Sequence, residues 1–104
     1  MVKAVELEIK KKYIEAVACY EKNISKELAI PDDYINLSFL YWSFAFELFE
    51  FNKPNSINDE MSLIGGNKYM KVLDLGLNKF PNNLEIHFWK KYFQHISFGV
   101  KFTE

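Results

Sequence analysis

The 104-residue sequence predicts an all-α domain, a four-helix antiparallel array of helical hairpins with one long loop between helices two and three. Three observations carry that prediction. Apolar residues recur at three- and four-residue steps along four stretches, the spacing that lines one face of an α-helix. Pro31 and Pro81 each stop a helical pattern, and each is followed by a polar pair able to cap the next helix. Between them, the stretch from Asp32 to Phe51 is the most apolar and aromatic part of the chain and carries two apolar stripes, so it needs partners on two sides.

The first helix is expected from Val2 to about Leu28. Val2, Val5, Ile9, Tyr13, Ala16, Val17, Tyr20, Ile24 and Leu28 share one face, with Lys11, Glu15, Lys22 and Lys26 opposite. Glu6 to Lys10 and Glu8 to Lys12 are correctly ordered i,i+4 pairs, and neither Gly nor Pro interrupts the run. Asp32 or Asp33 then caps helix two, and the short connection predicts antiparallel packing.

Helix two, DDYINLSFLYWSFAFELFEF, is the expected centre. Leu37, Leu40, Tyr41, Phe44, Leu48 and Phe51 form one stripe, and Ile35, Phe39, Trp42, Phe46 and Phe49 the other. Asn36, Ser43, Glu47 and Glu50 collect on one narrow wet edge; Ser38 and Ala45 lie on the other, where small side chains admit a close neighbour. Asp32, Asp33, Asn36, Glu47 and Glu50 interrupt or bracket the run, which argues against a membrane span.

Residues 52–67, NKPNSINDEMSLIGGN, read as the long loop, with a short helical turn from Ser56 to Ile64 inside it. Helix three follows from Lys68 to about Phe80. Its Gly76 costs about 1 kcal/mol against alanine, so close approach of another helix is the reason for it. Asn82 or Asn83 caps helix four, from Leu84 to about Ser97, whose apolar side holds Leu84, Phe88, Trp89, Tyr92, Phe93 and Ile96. The tail 98–104 is expected to fray.

Composition narrows the function. All 13 basic residues are lysine and the net charge is −1, so neither arginine forks nor a basic field is present to hold nucleic acid. A lone cysteine, Cys19, excludes an internal disulfide framework, and the acidic residues of MVKAVELEIKKK do not suit a signal peptide; a cytoplasmic protein is expected. His87 and His95 are eight apart on different faces of helix four, so they are not an i,i+4 metal pair. Cys19 has no histidine adjacent in sequence to act as its base. Gly65-Gly66-Asn67-Lys68 lacks a preceding strand and phosphate-loop spacing, and Asp32-Asp33 and Asp59-Glu60 are explained by capping. No cofactor, metal or catalytic residue is expected.

The chain also repeats itself. Lys12-Tyr13-Ile14-Glu15-Ala16-Val17 is echoed by Lys68-Tyr69-Met70-Lys71-Val72-Leu73, and Pro31-Asp32-Asp33 by Pro81-Asn82-Asn83. At these residues it resembles the tetratricopeptide repeat family. Tyr13, Ala16, Val17, Tyr20, Lys22 and Ile24 look like the second helix of that motif, and Tyr34, Leu37, Ser38 and Tyr41 like its first. Lys79-Phe80-Pro81-Asn82-Asn83 looks like its terminal turn. The two Lys-Tyr starts lie 56 residues apart, where the family repeats about every 34, and the excess falls largely in 52–67. The resemblance implies a groove that binds protein segments. Here it implicates Asn36, Ser43, Glu47 and Glu50, together with His87 and Gln94.

The expectation is therefore a non-enzymatic protein-binding module, for example a small inhibitor such as an immunity protein against a partner toxin. Two other readings stand beside it. One is a small-ligand binder or enzyme with an aromatic pocket under the 52–67 loop, lined by Trp42, Trp89, Tyr92 and His95; the other is a structural homo-oligomer that buries its surplus aromatics.

Overall fold

The computed structural model describes residues 3–46 and 54–98. Every regular element among them is a helix: α1 Ala4–Ile9, α2 Tyr13–Ser25, α3 Pro31–Phe46, α4 Asp59–Lys79 and α5 Leu84–Phe98. The all-α class stands, with five helices among the described residues in place of the expected four. None of the described helices is long and apolar enough to cross a membrane. Residues 99–104 of the expected frayed tail, and Glu47, Leu48, Phe49, Glu50 and Phe51 of helix two, lie outside the described residues.

The single helix expected from Val2 to Leu28 is broken at Lys10-Lys11-Lys12. Lys11 takes a left-handed backbone conformation with φ 61°, its N–H bonds to the Glu8 carbonyl at 2.9 Å, and the Lys12 N–H to the Leu7 carbonyl at 2.8 Å. This is a Schellman stop, which closes the last helical carbonyls. α2 ends in the same way: Glu27 has φ 58°, with Glu27 N–H to Ile24 and Leu28 N–H to Asn23. Both left-handed positions carry ordinary L-residues, at a cost of about 1–2 kcal/mol each. At the first break, a compensating contact is visible. A straight helix would hold Glu8 and Tyr20 about 18 Å apart, whereas the break folds α1 back so that the Tyr20 hydroxyl donates to the Glu8 carboxylate.

Pro31 opens α3 as its first residue, where a missing N–H is harmless, and the Asp33 carboxylate reaches back to accept from the Ile30 N–H at 3.0 Å. The first stripe of this helix is core: Leu37, Leu40, Tyr41 and Phe44 are all buried. The second is divided, with Ile35 buried, Trp42 half-buried, and Phe39 and Phe46 exposed.

The largest correction concerns the loop. The short helical turn expected from Ser56 to Ile64 starts at Asp59 and does not stop at Ile64: it runs through 65–67 into the expected helix three, capped by Asn58, whose side chain accepts from the Met61 N–H at 2.9 Å. Gly65 and Gly66 are therefore helix interior. Their sequence signature is that of a turn, but their reason is packing. α3 and α4 share the largest interface in the molecule and run antiparallel, Gly76 lying at Tyr34, Tyr69 at Ser38, and Gly65 at Tyr41 and Phe44. A Cβ on Gly65 would drive into the Tyr41 backbone carbonyl, and one on Gly76 would sit 3.0 Å from Tyr34 Cβ. Between them the Ser38 hydroxyl donates to the Tyr69 carbonyl at 2.6 Å. The small edge of Ser38 and Ala45 thus receives α4, as its spacing predicts.

Phe80-Pro81-Asn82 turns the chain into α5, and of the two candidate caps it is Asn83 whose Oδ1 accepts from the Ile86 N–H at 3.0 Å. α5 runs antiparallel to α4: Ile86 reaches Gly76, Lys90 pairs with Asp74 at 2.8 Å, and the Phe93 ring meets Tyr69.

Candidate interaction surface

α5 has a broad apolar arc, and α3 and α4 cover only part of it. Ile86 and Phe93 are buried and Trp89 is half-buried. Leu84, Phe88, Tyr92 and Ile96 are 82%, 48%, 38% and 41% exposed. Each follows the last by four residues, so they form one row along the open side of the helix. Phe88 and Tyr92 stack on each other with planes 12° apart. Exposed Phe39 of α3 carries the patch onto a second helix through its edge contact with Trp89, centroids 6.0 Å apart. Scattered exposed apolar residues are ordinary, but a contiguous row rimmed by polar residues marks a contact surface. Periodicity assigned this row to the core. Ile86, Trp89 and Phe93 also recur at three- and four-residue steps, so spacing alone does not separate the open row from the buried one.

Of the residues implicated by the repeat resemblance, Glu47 and Glu50 lie outside the described residues, and the other four have different surroundings. Ser43 is buried at 6% exposure, so the narrow edge is not wet along its length. Asn36 is half-buried and its side chain is hydrogen-bonded to Tyr20, which places it against α2. His87 is exposed but its Nε2 lies 2.7 Å from the Pro81 carbonyl, bracing the α4–α5 turn. Gln94 is half-buried on α5. The rings proposed to line an aromatic pocket are packed on one another: Trp42 and Trp89 both lie against Phe93 and Phe39, Tyr92 faces outward, and His95 is exposed. The lid over that pocket is not a loop from residue 59 onward.

Two carboxylate–tyrosine contacts tie the helices together. Buried Tyr20 donates to Glu8, and burial pushes the Glu8 carboxyl up, against the lowering effect of that hydrogen bond. Tyr41 of α3 donates to Glu21 of α2 at 2.5 Å, and Glu21 also pairs with Lys68 of α4 at 3.3 Å. The Lys68 ammonium sits 5.7 Å from the Tyr41 ring centroid. These three side chains edge an open groove of about 750 Å³ whose apolar lining includes Val17, Phe44, Met61 and Ile64. A second hollow of about 460 Å³ holds half-buried Cys19 beside Tyr20, Asn23 and Asp33. Among the described residues no group of three or more His, Cys, Asp and Glu is placed to hold a metal ion.

The tyrosines predict an alkaline transition. Burial first, then the bond to and charge of the neighbouring carboxylate, push both phenols well above the ordinary value of 10. The unfolded chain therefore loses these protons before the folded chain does. Their contribution to stability is complete below pH 10 and declines as pH rises beyond it. The melting temperature is expected to fall above pH 10, and the double variant Tyr20→Phe/Tyr41→Phe to fall less steeply. Parallel slopes for wild type and variant would remove these phenols as the cause.

Comparison with protein-family models, curated proteins and solved structures finds no match for this chain.

Proposed function

We propose that this chain is a protein-binding module that docks its partner on the exposed face of α5. The observation that carries the reading is the row Leu84, Phe88, Tyr92 and Ile96, extended by Phe39. Aromatic side chains bury large areas at small conformational cost and dominate the energy of protein contacts, so a stacked Phe88–Tyr92 pair at the centre of the row is a fitting hot spot. The polar rim suits the same role, with Glu85, Lys91 and His95 exposed around the row. The antiparallel pairs α3–α4 and α4–α5 are compatible with a helical-hairpin array of the kind that presents such faces. An inhibitor that works by occupying another protein is one activity such a face supports without bond-making chemistry.

The test is capture from lysate of the native source, using tagged wild type and the variant Phe88→Lys/Tyr92→Lys. Wild type should retain a stoichiometric protein that the variant loses, while circular dichroism and the melting temperature of the two remain alike. The same retained proteins in both captures would rule out this face.

A further inference from the structure

We propose that the hollow between α1, α2 and the α2–α3 connection binds a small amphipathic anion, an aliphatic chain ending in a carboxylate. The site shares no residue with the α5 row and stands independently of the docking reading. Its volume of about 460 Å³ lies within the range of small-molecule pockets. Its lining divides into an apolar part and a cationic part. Val5, Leu28 and Ile30 line it and are exposed, so a hydrocarbon chain laid against them removes apolar area from water on both sides. Lys3, Lys22 and Lys26 supply the charge.

The three lysines come from two separate elements. Lys22 and Lys26 stand one turn apart at the end of α2, a like-charge pair that an anion between them would relieve, and Lys3 reaches the same hollow from the start of α1. The ion pairs of the described residues, Lys68–Glu21 and Lys90–Asp74, use none of these three. Asp33 is the one carboxylate among the described lining residues, and it accepts from the Ile30 N–H at 3.0 Å. Three cations against one carboxylate make this hollow locally positive on a chain whose net charge is −1. The last α2 carbonyls would repel an anion if left open, but the Lys26, Glu27 and Leu28 N–H groups bond to those of Lys22, Ile24 and Asn23. Lysine stems lie along apolar surface while their ammonium heads stay in water. A chain held by the apolar wall and these stems therefore sets its carboxylate among ammonium donors, where hydrogen bonds are charge-assisted.

Cys19 gives the site a built-in reporter, because it lines the same hollow, is half-buried and is the only cysteine of the chain. The experiment is calorimetric titration of the purified full chain with octanoate, beside 1-octanol and acetate, together with the rate at which iodoacetamide alkylates Cys19. One octanoate per chain is expected to bind, saturating by about 1 mM, as suits a ligand of few heavy atoms. At saturation Cys19 alkylation should slow several-fold. Octanol, which lacks the charge, and acetate, which lacks the chain, should each bind at least about tenfold more weakly. Lys22→Gln/Lys26→Gln should lower octanoate affinity by about tenfold, with an unchanged circular dichroism spectrum because both side chains are exposed. No binding up to about 1 mM, octanol or acetate equal to octanoate, unchanged affinity in the lysine variant, or undiminished Cys19 alkylation at saturation would each overturn the assignment.

Discussion

Gly65→Ala is expected to lower the stability of the protein by about 3 kcal/mol, the upper range for overpacking a tight contact. Gly66→Ala, one residue further along the same helix, is expected to raise it by about 0.5 to 1 kcal/mol, the gain in helix propensity. The two glycines share a sequence context and differ in what a methyl group would meet. At residue 65 the obstacle is the Tyr41 carbonyl oxygen, a backbone atom held by α3, with Phe44 Cβ at 3.0 Å beside it. Neither can rotate away, so α3 and α4 must separate along the largest interface in the molecule. At residue 66 the new Cβ would lie 3.7 Å from Ala45 Cβ, an ordinary van der Waals contact. Gly76→Ala should fall between them, since its neighbours are the Tyr34 side chain at 3.0 Å and the end of Ile86 at 3.2 Å. Urea unfolding of the three variants reads the order directly. Equal changes at 65 and 66 would mean that close helix approach is not what reserves position 65 for glycine.

Phe44→Ala is expected to cost about 3 to 5 kcal/mol, from lost transfer energy and the space left behind. In a domain whose total stability lies in the range of about 5 to 15 kcal/mol, that loss can unfold a large part of the population at 37 °C. Phe44 is 1% exposed, its ring meets Tyr41 edge-on with centroids 6.3 Å apart, and its Cβ borders the Gly65 crossing. Phe46 lies on the opposite stripe of the same helix and is exposed, so Phe46→Ala should cost about 1 kcal/mol, in proportion to the smaller area it hides from water. Thermal melts of the two variants test the division of α3 into a core stripe and a half-open one. Similar losses would show that both stripes are core.

The comparison of these two phenylalanines also shows how far periodicity reaches. Spacing alone places Phe44 and Phe46 on different stripes of α3, because the helical period is fixed by backbone geometry. It does not say which stripe has a partner, because that depends on the helices that arrive. The same limit explains α5, where Leu84, Phe88 and Tyr92 look as suited to a core as Ile86, Trp89 and Phe93. Only the position of α3 and α4 divides them, and the candidate surface is the part left over. Residues implicated by the repeat resemblance fare similarly: Ser43 and Asn36 are polar, which predicts water, yet each is drawn into a helix interface.

By itself the sequence determined the all-α class, the polar pairs Asp32-Asp33 and Asn82-Asn83 as the places where helices open, the two apolar stripes of α3, the small-residue edge at Ser38 and Ala45, and the closeness implied by Gly76. All of these follow from interactions within a few residues or from the period of one helix. The tertiary structure alone decided three things. It broke the first helix at Lys11, because the contact between Glu8 and Tyr20 spans two helices and offsets a left-handed residue that no glycine announces. It joined the helical turn expected within 56–64 to helix three, because a Gly-Gly pair that locally favours a turn is held helical by the backbone of α3 pressed against it. And it chose which apolar face of α5 remains open, since burial is a property of neighbours and not of the residue that is buried.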